Sequence, residues 1–392
     1  MTPRVLLSCG EPSGDLYAGA LTRELRALAP GIDVFGLGGP QFMAAGGRAI
    51  ADYRGLSVTG ITEPLAKVPQ LAAARRRLLA SASQTRPDVF VPIDFWGFNY
   101  RLARTIGRQS IPVVYYVSPQ LWASRPWRMK TMREVANRVL VIFPFEERIY
   151  REAGVPVEFV GHPLVDLAKS SQARSEFLTG RGLSASAPTV AILPGSRPSE
   201  VARILPDLVA AAARIRAEVP GAQFLVARAP NLNDSLFNIL RDSLVPKTVM
   251  VEADTDTVLA SADVALTASG TATVQAALHD TPMVIVYRVS PWTYRLGRHL
   301  LNVSTFGMVN LIAGNKIVPE LIQDAFTPEA VAVEAVSMLT DPGRAARIRE
   351  GLRDVRERLG GGGASRRAAE VILRVATGDV DPGTRTGPQS LQ

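Results

Sequence analysis

Short apolar runs rich in β-branched residues recur along the first half of the chain. RVLLSC (4–9), DVFGLG (33–38), DVFVPID (88–94), IPVVYYV (111–117) and RVLVIFPF (138–145) predict strands, with helical stretches such as YAGALTRELRAL (17–28) between them. The second half repeats the scheme with TVAILPG (189–195), QFLVARA (223–229), TVMVEAD (248–254), DVALTAS (263–269) and PMVIVYR (282–288). Continuous apolar strands alternating with helices imply parallel sheets covered on both faces, an α/β class of doubly wound domains. VLLSCGEPSGD (5–15) echoes VAILPGSRPSE (190–200), which predicts two similar Rossmann-like domains facing one cleft. The expected division is 1–168 and 185–345, with an interdomain linker in 167–188 and a disordered tail over 377–392.

Composition narrows the compartment and the partners. Of 392 residues, 47% are hydrophobic, ample for two cores, and Cys9 is the only cysteine, so no intrachain disulfide forms and a reducing compartment fits. The opening apolar run is too short for a signal peptide, and no stretch reaches the roughly 18 apolar residues of a spanning helix. A cytoplasmic protein, soluble or peripheral on a membrane, is expected. Its net charge of +8, mostly arginine, suits anionic partners or reflects a compositional habit of the source genome. His162, His279 and His299 are scattered without zinc spacing, and no metal is expected.

Candidate chemistry lies where strands end. After the run at 190–194 come Gly195, Ser196 and Arg197 and then a helix, a cradle for phosphate or else an ordinary capped turn. Ser269, Gly270 and Thr271 form a second such turn, and Gln275, one turn on, faces either a sugar hydroxyl or solvent. In the first half, Glu11 and Asp15 in GEPSGD would repel a pyrophosphate, and Gly36, Gly38 and Gly39 fail the dinucleotide spacing, so hydride transfer is disfavoured. Those glycines are free to admit a sugar close to the backbone. Asp94 ends a strand, with Asn99 just beyond, as a general base or as a cap. Ser118, Trp122, Arg125, Trp127 and Arg128 follow the next strand, the tryptophans serving as core or as interfacial anchors. Asp254-x-Asp256 has a metal-diphosphate spacing but precedes a helix, and capping is the better reading.

Taken together, GEPSGDLYAG, GLGGPQFMAAG, ID…GFN, YYVSPQLWA, VGHPLVD, LPGSRPSEV, ASGTATVQAAL and NLIAGNKIVPELIQ resemble, in order, the lipid-A-disaccharide synthases, glycosyltransferases of the GT-B fold. The resemblance runs from residue 8 to about 323. It implies an inverting hexosyltransferase without cofactor or metal. This enzyme moves 2,3-diacylglucosamine from UDP to 2,3-diacylglucosamine 1-phosphate and makes the β-1,6 lipid A disaccharide 1-phosphate of lipopolysaccharide biosynthesis. By position, Asp94 matches the family's essential carboxylate and becomes the candidate base, and Arg197 matches the diphosphate loop. Gly195, Ser196, Ser269, Gly270, Thr271, Gln275, Asn310 and Glu320 fall on the donor side; Glu11, Ser13, Gly14, Asn99 and Ser118 fall on the acceptor side. Residues 350–376 are expected to cross back onto the first domain as a last helix. Gln275 stands where a glutamate is common, Gly97 where a second acid is common and Trp96 where a proline is common.

The implied partners are the two acylated sugars and the inner leaflet of the cytoplasmic membrane, with no nucleic acid; a homodimer is compatible. Two segments suit an interface. In 61–80, Ile61, Leu65, Val68, Leu71, Leu78 and Leu79 lie near helical spacing beside Lys67 and Arg75–Arg77; 290–301 carries Trp292, Tyr294, Arg295 and Arg298. The alternatives are a UDP-sugar 2-epimerase on the same fold and a nucleotide-sugar-binding protein without turnover.

Overall fold

The structure is a computed structural model that describes residues 2–54, 56, 63–119, 128–230, 232–242, 245–289, 305 and 307–379. It divides into two compact units, Met1–Pro163 with Leu359–Gln392, and Leu164–Arg358. Both are doubly wound, all-parallel α/β units of the GT-B class.

Unit 1 orders its strands β3-β2-β1-β4 and β5-β6-β7, the two groups joined by the parallel bridges Phe90–Val113 and Ile93–Tyr116. Their ranges are β1 Arg4–Ser8, β2 Asp33–Gly38, β3 Arg48–Asp52, β4 Val89–Pro92, β5 Val114–Tyr116, β6 Arg138–Val141 and β7 Val157–Phe159. The chain winds outward from β1 to β3, then returns to β4 beside β1. That reversal is the topological switch point where such sheets bind ligands. Val5, Leu6 and Leu7 are fully buried, as the continuous apolar run requires of a central strand covered by helices on both faces.

Unit 2 orders its strands β10-β9-β8-β11-β12-β13, over Thr189–Leu193 (β8), Gln223–Arg228 (β9), Thr248–Glu252 (β10), Val264–Ala268 (β11), Met283–Tyr287 (β12) and Glu320–Ile322 (β13). Its switch point lies between β8 and β11, which pair from Val190↔Val264 to Leu193↔Thr267. Among the described residues no helix is long and apolar enough to cross a membrane.

Two expected boundaries move. The segment 167–188 is not a linker, since the chain passes between units at Pro163/Leu164 and 167–188 packs within unit 2. There Phe177 and Leu178, on the helix Arg174–Thr179, are fully buried. The final helix over 350–376 is in fact two. Pro342–Arg358 stays in unit 2, and Ala364–Thr377 packs on the helix Pro12–Leu28 of unit 1. Gly360 and Gly363, at φ 83° and 86°, turn the chain between them in a region that only glycine enters cheaply.

Candidate active site

In unit 1 the site is built on a strained turn. β4 ends at Pro92, and Asp94 and Phe95 both take left-handed conformations, at φ 41° and 49°, before the helix Trp96–Gly107 begins. Non-glycine residues pay roughly 1–3 kcal/mol each for such conformations and keep them only where the surroundings enforce them. Here the enforcement is visible. The buried amide of Asn99 donates from Nδ2 to the carbonyls of Asp94 (2.8 Å), Ser8 (3.1 Å) and Ile93 (3.2 Å), and its Oδ1 accepts from Ser8 Oγ (2.6 Å). Tyr115 Oη donates to the Asp94 carbonyl at 2.7 Å, and the Asp94 amide donates to the Val117 carbonyl at 3.1 Å. Burial, and secondarily the nearby Asp94 charge, push the Tyr115 phenol well up, so it remains a neutral donor. The Phe95 ring lies over Gly10, where any Cβ would come within 2.2 Å of it. The backbone of Asp94 is thus pinned while its side chain is exposed, at the switch point beside the end of β1.

In unit 2 the corresponding turn after β8 is relaxed by glycine. Gly195 sits at φ 117° and leads to Arg197, the N-cap of the helix Pro198–Glu218. Glu200 folds back over it. Its Oε2 accepts from the amides of Ser196 and Arg197, each at 3.3 Å, and its Oε1 accepts from Arg197 Nη1, also at 3.3 Å. Side chain and backbone together close a capping box. The turn's amides and cation therefore converge on a carboxylate of their own helix. The neighbouring turn after β11 places Gly270 at φ 150° as N-cap of the helix Thr271–Leu278, with no side-chain cap hydrogen bond. A Cβ there would meet nothing within 4 Å, so backbone conformation and not crowding calls for glycine. Both turns follow adjacent central strands, and Ser269, Gly270 and Thr271 are partly or fully exposed.

The remaining expected residues have firm partners. Gln275 donates from Nε2 to both carboxylate oxygens of Asp256, at 3.1 and 3.2 Å, and His279 Nε2 lies 2.9 Å from the same carboxylate. Asp254 is the cap that the D-x-D spacing suggested, accepting from the Thr257 amide at 3.3 Å. Asn310 is buried, donating to Glu320 Oε1 at 2.7 Å and accepting from the amides of Ile317 and Val318. Glu320 also accepts from the Gly307 amide at 2.9 Å. On the acceptor side, Asn99 and Ser118 are buried, Ser118 Oγ bonded to Tyr150 Oη at 2.6 Å. Glu11 and Ser13 are partly exposed, and Gly14 is buried against Cys9. His162 is buried between Tyr17 and Phe143, and burial drives its pKa down to about 3, so it stays neutral.

Two expectations are corrected, and Asp15 takes on a role that the sequence reading did not give it. Asp15 has a structural task, accepting from the amides of Gly39, Gln41 and Phe42 at 2.7–3.1 Å and so capping the helix Pro40–Ala44. Gly36, Gly38 and Gly39 leave no room for a sugar. A Cβ would strike the Leu7 carbonyl, the Phe42 ring and the Tyr53 ring respectively, so the protein itself makes the close approach. Leu71 and Leu78 share a face, but it is the wrong one for a membrane. Leu78 is fully buried in the unit 1 core, with Leu71 and Leu79 packed against that core. The side chains of Ile61 and Leu65, and Trp122, Arg125, Trp127 and the segment 290–301, lie outside the described residues. Sequence reasoning missed Glu200, Phe95 and Tyr115. Only Glu200 carried a signal, an acid three residues after the helix cap.

The comparisons with known proteins agree across the chain. A model of the lipid-A-disaccharide synthetase family matches residues 5–374. A lipid-A-disaccharide synthase of Myxococcus xanthus is 41% identical over 373 residues, covering 95% of this chain and 97% of its own. One from Koribacter versatilis is 42% identical over 379 residues, covering 95% and 98%. Among solved structures, a kitacinnamycin glycotransferase matches with a TM-score of 0.63 at 16% identity, over 96% of this chain and all of its own. A Neisseria meningitidis UDP-GlcNAc 2-epimerase, solved with UDP-GlcNAc, matches with a TM-score of 0.66 at 12% identity, over 95% of this chain and all of its own. At those identities the structural likeness speaks for the fold alone.

Proposed function

The chain belongs to the lipid-A-disaccharide synthetase family, and from that premise we propose a division of labour between its units. It is a hexosyltransferase of lipid A biosynthesis, acting on a sugar nucleotide and a lipid-linked sugar. In this reading unit 2 holds UDP-2,3-diacylglucosamine. Arg197 and the amides of the β8 turn take the diphosphate, which Glu200 yields to it, and the β11 turn at Ser269–Thr271 adds further amides and hydroxyls. Gln275, Asn310 and Glu320 shape the rest of the donor side.

Unit 1 supplies the base. The Asp94 carboxylate takes the proton of the acceptor's 6-hydroxyl as that oxygen attacks the anomeric carbon of the donor. The new C–O bond forms on the face opposite the bond to the diphosphate, which breaks and releases UDP, so configuration inverts and the β-1,6 linkage results. Charge building on the leaving diphosphate meets the Arg197 guanidinium and helix amides. The acceptor is 2,3-diacylglucosamine 1-phosphate, and the enzyme works from the cytoplasm on the inner leaflet. The observation that carries this reading is an exposed carboxylate on a strained, over-clamped backbone turn at a switch point. The test is UDP release, expected only when both acylated substrates are present. UDP released from UDP-N-acetylglucosamine alone, with epimerisation at C2, would defeat it.

A further inference from the structure

The helix that begins beside Asp94 carries an arginine-lined depression that the transfer reaction leaves unused. A cavity of about 320 Å³ is lined by Arg75, Tyr100, Arg101, Arg104, Thr105 and Arg108. Arg101, Arg104 and Arg108 stand at helical spacing i, i+3 and i+7, and Arg75 reaches in from the helix Glu63–Thr85. Its guanidinium donates to Thr105 Oγ1 at 3.0 Å, while its buried Nε has no partner. Among the described residues, none of the four forms an ion pair with a carboxylate. Like charges at these spacings repel. The negative end of the helix dipole offsets one or two cations in its last turn, not four gathered about one hollow.

We propose that this cavity is a headgroup site that takes the phosphate of an anionic membrane lipid and seats unit 1 on the bilayer. A phosphate would neutralise the cluster. Two neighbouring features point to a lipid rather than a free phosphate. A second hollow of about 280 Å³ shares Tyr100 and Arg101 and is lined by Trp96, which stacks on Tyr100 at 5.2 Å between ring centroids. Half-buried tryptophan and tyrosine beside arginine are the side chains of a membrane interface. Val68, 53% exposed, lies two helical turns before Arg75 on the same face, and so extends the cationic hollow with an apolar contact. The core-facing Leu71 and Leu78 are thereby replaced as the docking element by Val68 and Arg75, which flank them on the same helix. The proposal rests on the reading that the enzyme works at a lipid surface.

The test uses the full chain and vesicles of phosphatidylcholine with and without 30% phosphatidylglycerol. Wild type is expected to co-sediment with the anionic vesicles only, less so at high salt. The variant R101A/R104A/R108A should lose about a hundredfold in affinity, since each basic residue near such a surface is worth roughly a factor of five. A control with the same loss of charge, R241A/R347A/R353A on exposed positions of unit 2, should lose far less. Both variants should keep the wild-type melting temperature and, in detergent micelles, wild-type turnover. Equal loss in both variants, or none in the first while wild type binds, overturns the site. Failure of wild type to bind any anionic vesicle overturns the lipid-surface reading beneath it. Two results would replace the lipid by another ligand: saturable calorimetric binding of inorganic phosphate that the first variant lacks, and an acceptor KM raised by that variant in micelles. The latter would give the site to the acceptor's own phosphate.

Discussion

The two turns proposed to serve the transfer are built in opposite ways. After β4 the chain enters the left-handed region with Asp94 and Phe95 and is held there by Asn99, Tyr115 and the contact of Phe95 with Gly10. After β8 it enters the same half of conformational space with Gly195, at little cost, and its polar groups meet Glu200. The first turn spends stability to fix one side chain. The second is relaxed, its polar groups held by a carboxylate of its own helix. A proton acceptor must be placed to within a fraction of an ångström of its partner, whereas a nucleotide must come and go, so the difference matches the division of labour proposed above.

The contrast can be broken most decisively at Asp94. Asp94→Asn keeps the turn and removes the base, so turnover should fall by about 10² to 10⁴ while UDP affinity stays near wild type; near-normal turnover would strip unit 1 of its role. Next in size is Arg197→Ala. Charge-assisted hydrogen bonds contribute about 1.5–3 kcal/mol, so UDP should bind roughly one to two decades more weakly by calorimetry, with the unit 1 turn untouched. Unchanged binding would reduce the β8 turn to a helix cap.

Asn99→Ala probes the clamp itself. It removes the side-chain donor to the buried Ile93 carbonyl and the acceptor of the buried Ser8 hydroxyl, and the expected loss is about 1–3 kcal/mol by denaturant titration, with turnover falling because Asp94 drifts. Stability without change, or turnover without change, would show that the strain at 94–95 is held by something else. The smallest effect is expected at Glu200→Gln. Arg197 is partly exposed, so its pairing with Glu200 is worth about 0.5–1 kcal/mol, and freeing it should tighten UDP two- to fivefold. Weaker UDP binding in that variant would mean that Glu200 shapes the cradle for the diphosphate instead of competing with it.

Central strands were legible because burial on both faces leaves an unbroken apolar run, as at Val190–Leu193. The edge strands Arg48–Asp52, Val157–Phe159 and Glu320–Ile322 were not, because they are short and at most half-buried, and no run survives. Helical spacing said that Leu71 and Leu78 share a face but not which way that face turns. The glycines at 36–39 announced a close approach but not whether a ligand or Phe42 and Tyr53 would make it. Asp94 and Arg197 could be read as strand-end residues. The clamp around Asp94 could not, since Asn99, Tyr115 and Gly10 meet it only once β1, β4 and β5 lie side by side.

The last helix, Ala364–Thr377, sets an order of assembly. Ala364, Ala368, Ala369 and Ile372 are fully buried, and the helix closes over Pro12–Leu28, made some 350 residues earlier. On a ribosome the unit begun first is therefore finished last. Leu164–Arg358 is an uninterrupted segment that can fold as soon as it emerges, whereas the surface awaiting residues 364–377 stays uncovered until almost the whole chain has been translated.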